Sequence, residues 1–435
     1  MLKKKLVNKP KNLNTFLTLW VGITLSTIGT QMTNFAITLW AWEATEKATP
    51  LALIIFFVQA PRIIASLFAG VIVDSFNRKY LMMLGDTVAG ISTMAILTLL
   101  LTDNLQIWHL YCTGAVNGLF SYFQDLAFST SMAMIVPKKD YARATVMEDY
   151  LTYSAGEILA PFLATFFYYQ QGLSSILIID LLTFFIAIFT VIIVKIPQPT
   201  HNFNCQENLR DKLTFGFRYI FNNSSLLALL IFLLITNFVS NIAWGIFPAM
   251  ILARTNNSGT ILAMIQGAMG MGGVVGGISL TLWRGFRNRV KGLLLGNFLT
   301  EFNSILIGIF QIPSFWMVSA FLMSFFAPLV GSCNQSIWLS KVEPSIQGRV
   351  FASRYFIAQI MSPVGLLISG FLADNVFEKY FNSGSIFNFI FGAGEGSGMA
   401  LQYSLFSFLG VVISLIAFRI RVLNDLENRL IDIND

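Results

Sequence analysis

Runs of about twenty apolar residues recur from one end of this 435-residue chain to the other. Each run is long enough, as a helix, to cross the roughly 30 Å hydrocarbon layer of a bilayer. Only 11% of the residues are charged, against about 25% in soluble domains, so the outer surface faces lipid. The hydropathy pattern predicts an all-α integral membrane protein with spans near 15–41, 50–74, 80–101, 107–136, 144–168, 174–195, 225–253, 259–284, 291–311, 315–341, 349–377 and 398–420. The first run is read as a span and Met1 as the start of the mature protein, because similar runs follow it and no small-residue cleavage pattern closes it.

Orientation follows from the basic residues, since Lys- and Arg-rich loops stay in the cytoplasm. Of the 28 basic residues, all but Lys47, Arg62, Arg254 and Lys379 fall in the amino-terminal segment, the even-to-odd connections, the central connection or the tail. This places both termini in the cytoplasm, with the plasma (inner) membrane as the expected location. The chain divides into a six-helix bundle over 1–195, a cytoplasmic linker over 196–224, a second six-helix bundle over 225–420 and a tail over 421–435. In the linker, Leu209, Leu213, Phe217 and Ile220 share a helical face among Arg210, Lys212 and Arg218, the pattern of an interfacial amphipathic helix or of a plain soluble one. Val136-Pro137, Arg143 and Pro161 in the first half are echoed by Val342-Glu343-Pro344, Arg349 and Pro363 in the second. Such a repeat suggests two pseudo-symmetric bundles around a central site.

Several chemistries have no footing here. Cys112, Cys205 and Cys333 are scattered, and only His109 and His201 are present, so neither a disulfide framework nor a metal site is expected. No Ser-His-Asp spacing and no G-x-x-x-x-G-K-[ST] loop occurs, which argues against a membrane enzyme and against ATP as the driving ligand. The basic residues form no single aromatic-laced patch, so nucleic acid is not an expected partner. The lipid bilayer is, together with a small-molecule cargo, and the chain is expected to act as a monomer without a cofactor.

After the second run stands Gly70-Val71-Ile72-Val73-Asp74-Ser75-Phe76-Asn77-Arg78-Lys79, which resembles the G-x-x-x-D-R-x-G-R-[RK] loop of the major facilitator superfamily. Gly70, Asp74, Arg78 and Lys79 match; Ser75 and Asn77 depart from it. Gly348-Arg349-Val350-Phe351, Gln359, Pro363, Gly365 and Gly370-Phe371-Leu372-Ala373-Asp374, with Trp20, Gly22, Ser26, Gly29 and Gln31, are similar to the macrolide-efflux and siderophore (enterobactin) exporter branch. The stretch Gly156-Glu157-Ile158-Leu159-Ala160-Pro161 is similar to the fifth-helix text of the family's drug antiporters, with Ala160 where a glycine is usual. Gly156, Ala160, Pro161 and Pro363 are candidates for close or bent helix packing. The fourth span lacks the mid-helix arginine of many proton-coupled members.

The resemblance implies twelve helices in two bundles, with Asp74, Arg78 and Lys79 helping to close the cytoplasmic side; ordinary topogenic charge is the alternative. It also implies a cavity lined by spans one, four, seven and ten, assisted by two, five, eight and eleven. Ionisable residues inside lipid are costly and so are functional candidates. On the favoured spans these are Glu157, Asp125 and Arg62, read as ion-coupling candidates against a structural pairing. Asp180 and Glu301, on spans six and nine, are assigned to local packing. Gln31, Asn34, Gln124, Asn237, Asn241, Asn334, Gln335 and Gln359 are cavity candidates, or alternatively glue between helices. The expected function is export of amphipathic small molecules by alternating access, driven by an ion gradient, with protons as the ion. An uptake permease or a lipid flippase on the same scaffold remains open, as does a non-transporting receptor or scaffold.

Overall fold

The computed structural model describes residues 13–137, 140, 144, 147, 152–194, 196, 209–283, 286, 288–343, 346–381 and 386–429. Among these residues the fold is helical throughout, with no strand. The first half comprises α1 (Leu13–Thr45), α2 (Ala48–Ser75), α3 (Arg78–Leu101), α4 (Ile107–Ile135), α5 (Tyr153–Gln171) and α6 (Leu173–Ile193). A linker helix, α7 (Leu209–Asn222), precedes the second half. That half comprises α8 (Ser224–Trp244), α9 (Phe247–Arg254), α10 (Gly259–Trp283), α11 (Arg289–Ile309), α12 (Pro313–Lys341), α13 (Gln347–Gln359), α14 (Ser362–Leu372) and α15 (Ser397–Ala417). Taking α8 with α9 and the segment Gln347–Tyr380 as single crossings, ten helices are long and apolar enough to span a membrane. Helices also occupy the fourth and fifth expected positions, α4 and α5. They fall outside those ten because α4 carries Asn117, Gln124 and Asp125, and α5 carries Glu157, Gln170 and Gln171.

Two expected spans are not continuous helices, and proline explains both. A helical proline removes one N–H and its ring displaces the carbonyl one turn earlier. The seventh span breaks at Gly245 and Ile246 and resumes as α9 with Pro248 in its first turn. The eleventh breaks at Ile360 and Met361 before Pro363, and the Ser362 hydroxyl donates to Gln359 Oε1 at 2.6 Å across the break. By contrast Pro61, Pro161 and Pro328 lie inside α2, α5 and α12. Beyond α14 the chain widens into a π-helical turn, Ala373–Phe377.

The two halves repeat the same local solutions. At the start of α3 the Asn77 side chain accepts from Lys79 N–H at 3.0 Å, and at the start of α11 Asn288 accepts from Lys291 N–H at 2.9 Å, each capping an otherwise orphan donor. The next residue in each half reaches the end of the following helix: Arg78 donates to the Thr130 carbonyl at 3.1 Å, and Arg289 to the Ser340 hydroxyl at 2.6 Å. Asn77 thus does capping work at the position where the resembled loop has glycine. The α7 helix lays Phe217 against Phe356 and buries Ile220, so its apolar face meets α13.

Packing sets the shape of the molecule. The halves meet along α5 with α10, and along α2 with α13 and α14. At the end remote from the basic loops one apolar core runs through both halves, joining Phe35, Trp42 and Tyr168 to Phe247, Met250, Ile265 and Tyr403. At the basic-loop end the core splits in two. Phe16, Met82 and Val191 belong to a cluster confined to the first half; Leu229, Leu293 and Trp338 belong to one confined to the second. Among the described residues the apolar core is therefore shared by the halves at one end and divided at the other.

Candidate functional site: a cavity between the halves

Between the halves lies a cavity of about 680 Å³, within the range that suits small-molecule ligands. Its first-half wall includes Gln31, Asn34, Phe35, Thr38, Gly156, Glu157 and Pro161; its second-half wall includes Trp244, Gln266, Met269, Gly270, Met323 and Gln335. The backbone explains why α5 and α10 can flank it so closely. A methyl group on Gly270 would meet Ile158 at 2.6 Å and the Glu157 Cβ at 3.2 Å, so the glycine lets the Glu157 segment sit against the opposite half. The Asn34 amide donates to Gln31 Oε1 at 3.3 Å, which leaves both side chains on the cavity surface. Glu157 is the one carboxylate among the lining residues, the rest being amides, hydroxyls, aromatics, methionines and small residues. Such a lining suits an adaptable apolar cargo with a few polar groups.

The remaining sequence candidates lie elsewhere. Arg62 and Asp125 form an ion pair at 2.8 Å between α2 and α4, and Arg62 also donates to Ser121 at 3.2 Å. The guanidinium sits over the Tyr122 ring, which in turn packs on Tyr355 of the second half at 5.7 Å. Gln124 donates to Asp86 at 2.6 Å, Asn237 to the Ala358 carbonyl at 2.9 Å, and Asn241 to the Asn237 carbonyl at 2.7 Å. Asn334 accepts from the Trp338 indole at 3.1 Å, and Gln359 is engaged at the α13 break. Each of these amides bonds protein. Asp180 accepts from Thr93 at 2.9 Å and Glu301 from Ser240, on the outer helices. Ala160 and Pro363 are buried at helix contacts.

At the loop signature, the Lys79 ammonium donates to the Ile192 and Val194 carbonyls at 2.7 and 3.0 Å. It caps the carboxyl end of α6, where a cation suits both the orphan carbonyls and the helix dipole. Gly70 has open space around its Cα, and the side chain of Asp74 lies outside the described residues. Cavity residues that sequence reasoning missed include Thr38, Trp244 and Gln266. Only depth and helix phase mark them, and hydropathy does not resolve phase on helices that are apolar all round.

The fold and its interfacial cavity define a multi-pass membrane transporter. The chain belongs to the Major Facilitator Superfamily, whose description matches residues 19–366. Macrolide efflux protein A of Streptococcus pyogenes is 23% identical over 364 residues, covering 83% of this chain and 90% of that protein. The protein of the same name from Enterococcus faecalis is 22% identical over 300 residues, covering 68% of this chain and 93% of its own. Among solved structures, a D-xylose-proton symporter superposes with a TM-score of 0.70 at 10% identity, covering 97% of this chain and all of that one. A bacterial homologue of the human lysosomal transporter Spinster, in an inward-facing and unoccupied conformation, gives 0.66 at 14% identity, covering 97% and 98%. Identities this low speak for the shared fold.

Proposed function

We propose that this protein exports amphipathic small molecules across the plasma membrane by alternating access, with proton antiport as the drive and without ATP or a bound cofactor. The observation that carries the reading is the cavity between the halves, shut by a shared core at one end, cleft at the other and bearing Glu157 on its wall. The efflux relatives favour export over uptake. With the basic loops and both termini cytoplasmic, the cleft opens to the cytoplasm, and the protein works there as a monomer. Glu157, which holds either a proton or a cargo contact but not both, supplies the coupling. The Arg62–Asp125 pair, linked through Tyr122 to Tyr355, and the loop at Gly70, Asp74, Arg78 and Lys79 respond to the movement of the halves. The amides Gln31, Asn34 and Gln335 give the cargo neutral hydrogen bonds.

The test is gradient-dependent efflux of a panel of amphipathic compounds from expressing cells, comparing the native chain with Glu157→Gln at matched expression. Efflux that collapses with the proton gradient and is lost in the variant is the expected result. Efflux retained in the variant would remove Glu157 from the coupling, and accumulation in place of efflux would reverse the direction of transport.

A further inference from the structure

Arg354 lies in the middle of α13, a half-buried cation inside a membrane-crossing segment. Its surroundings are built. The guanidinium sits over the Trp338 ring at 5.2 Å and the Phe351 ring at 5.5 Å, and Trp338 is itself fully buried. One nitrogen donates to Gln335 Oε1 at 3.0 Å, and Gln335 lines the cavity. Among the described residues that is its one hydrogen bond, and no carboxylate pairs with it. Arg62, by contrast, is paired with Asp125. A guanidinium carries five N–H donors in a planar fork, so aromatic faces that fix its plane leave the edge of the fork unspent.

Position gives the unspent edge a use. Gln335 stands on the last two turns of α12, so the hydrogen bond from Arg354 reaches the cavity wall at the side where the core is divided. The guanidinium stands one hydrogen bond behind the lining residue Gln335, and the apolar lining of Phe35, Met269 and Met323 belongs to the same cavity. A planar fork held on aromatic faces matches a carboxylate or another oxyanion better than a neutral ester or an amine. Resting on the exporter reading above, we infer that Arg354, oriented by Gln335, is the subsite that takes the anionic head of an amphiphilic cargo whose apolar tail fills the cavity.

The experiment uses the full-length protein in nanodiscs of zwitterionic lipid and a matched pair of probes, 11-(dansylamino)undecanoic acid and its methyl ester, titrated by dansyl fluorescence. The acid is expected to bind about tenfold more tightly than the ester, the scale of one charge-assisted hydrogen-bonded pair. Arg354→Ala should bring the ratio near one, and Arg354→Lys, which keeps the charge but loses the fork, should restore part of it. Equal binding of acid and ester to the native chain, or an unchanged ratio in Arg354→Ala, overturns the subsite while leaving the cavity reading intact. Binding of neither probe removes both. In nanodiscs containing phosphatidylglycerol the acid should keep its advantage; losing it there would give the fork to a lipid headgroup and overturn the cargo assignment.

Discussion

Asp374, in the π-helical turn of the second half, caps the first turn of α2 in the first half: its carboxylate accepts from Thr49 N–H at 2.9 Å and from the Thr49 hydroxyl at 2.5 Å, and from Ala48 N–H at 2.9 Å. Trp42 with Asn257 at 2.7 Å and Tyr169 with Gly259 at 2.9 Å link the halves at the same end. Opening that end separates α2 from α14 and breaks the cap. Loss of a capping carboxylate costs about 0.5–2 kcal/mol, and here the cost falls on the shut state alone. Asp374→Ala should therefore raise the population open at this end by roughly two- to thirtyfold. Spin labels on the starts of α2 and α15 would report it as growth of a longer-distance component, and an unchanged distribution would deny the cap a part in closure.

Neighbouring glycines on α10 should respond in opposite ways. A methyl on Gly272 would lie 2.1 Å from the Phe321 carbonyl oxygen of α12, whereas one on Gly273 meets nothing within 4 Å and faces the cavity. Gly272→Ala should lower the thermal stability of the detergent-solubilised protein by about 1–3 kcal/mol, the usual cost of overpacking. Gly273→Ala should leave the melting temperature in place.

Lys79→Met removes the charge that caps α6 while keeping most of the apolar stem. With two charge-assisted bonds to carbonyls lost, unfolding should become easier by about 1–3 kcal/mol. Lys79→Arg should recover most of this, because it restores a cation at the same helix end. Thermal unfolding followed by tryptophan fluorescence would rank the three proteins.

The Arg62–Asp125 pair is open to the cleft, with side chains 35% and 59% exposed, so water screens it. A double-mutant cycle over Arg62→Gln and Asp125→Asn should return a coupling of no more than about 1 kcal/mol in stability. If the pair serves the movement of the halves, the same cycle measured on efflux should return a larger coupling. Equal values in both would mark the pair as structural.

The sequence speaks clearly about what lipid enforces and faintly about what packing decides. Apolar run length located the helices within a few residues except at the start of the fifth, expected near 144 and described from Tyr153, and the even spread of apolar residues around each helix is also why it could not say which face meets the cavity. Gln31, Asn34 and Gln335 reach the cavity, while Asn237, Asn241 and Asn334, equally polar and on equally favoured spans, bond backbone or indole. On α12 a single residue of phase, about 100°, separates Asn334 from Gln335 and with it the two fates. Arg354 lies inside the expected eleventh span, yet its charge counts with the topogenic basic residues, which say nothing of a place beside a cavity. The breaks before Pro248 and Pro363 were legible in principle, since both prolines are visible; that Pro61, Pro161 and Pro328 leave their helices whole shows why proline alone does not announce a break.

Directly after the turn that carries Asp374 comes Glu378, whose carboxylate accepts from Gly396 N–H at 2.7 Å and Met399 N–H at 3.1 Å at the start of α15. One short stretch of chain thus grips two helix beginnings, one in each half. Its hold on α15 stays within the second half, and its hold on α2 crosses the seam. In the proposed swing of the halves the strain would fall on the seam, so Glu378 would stay seated while Asp374 let go. A weld and a latch thus stand close together on one short stretch of chain, and that arrangement sets the line along which the proposed movement would part the molecule.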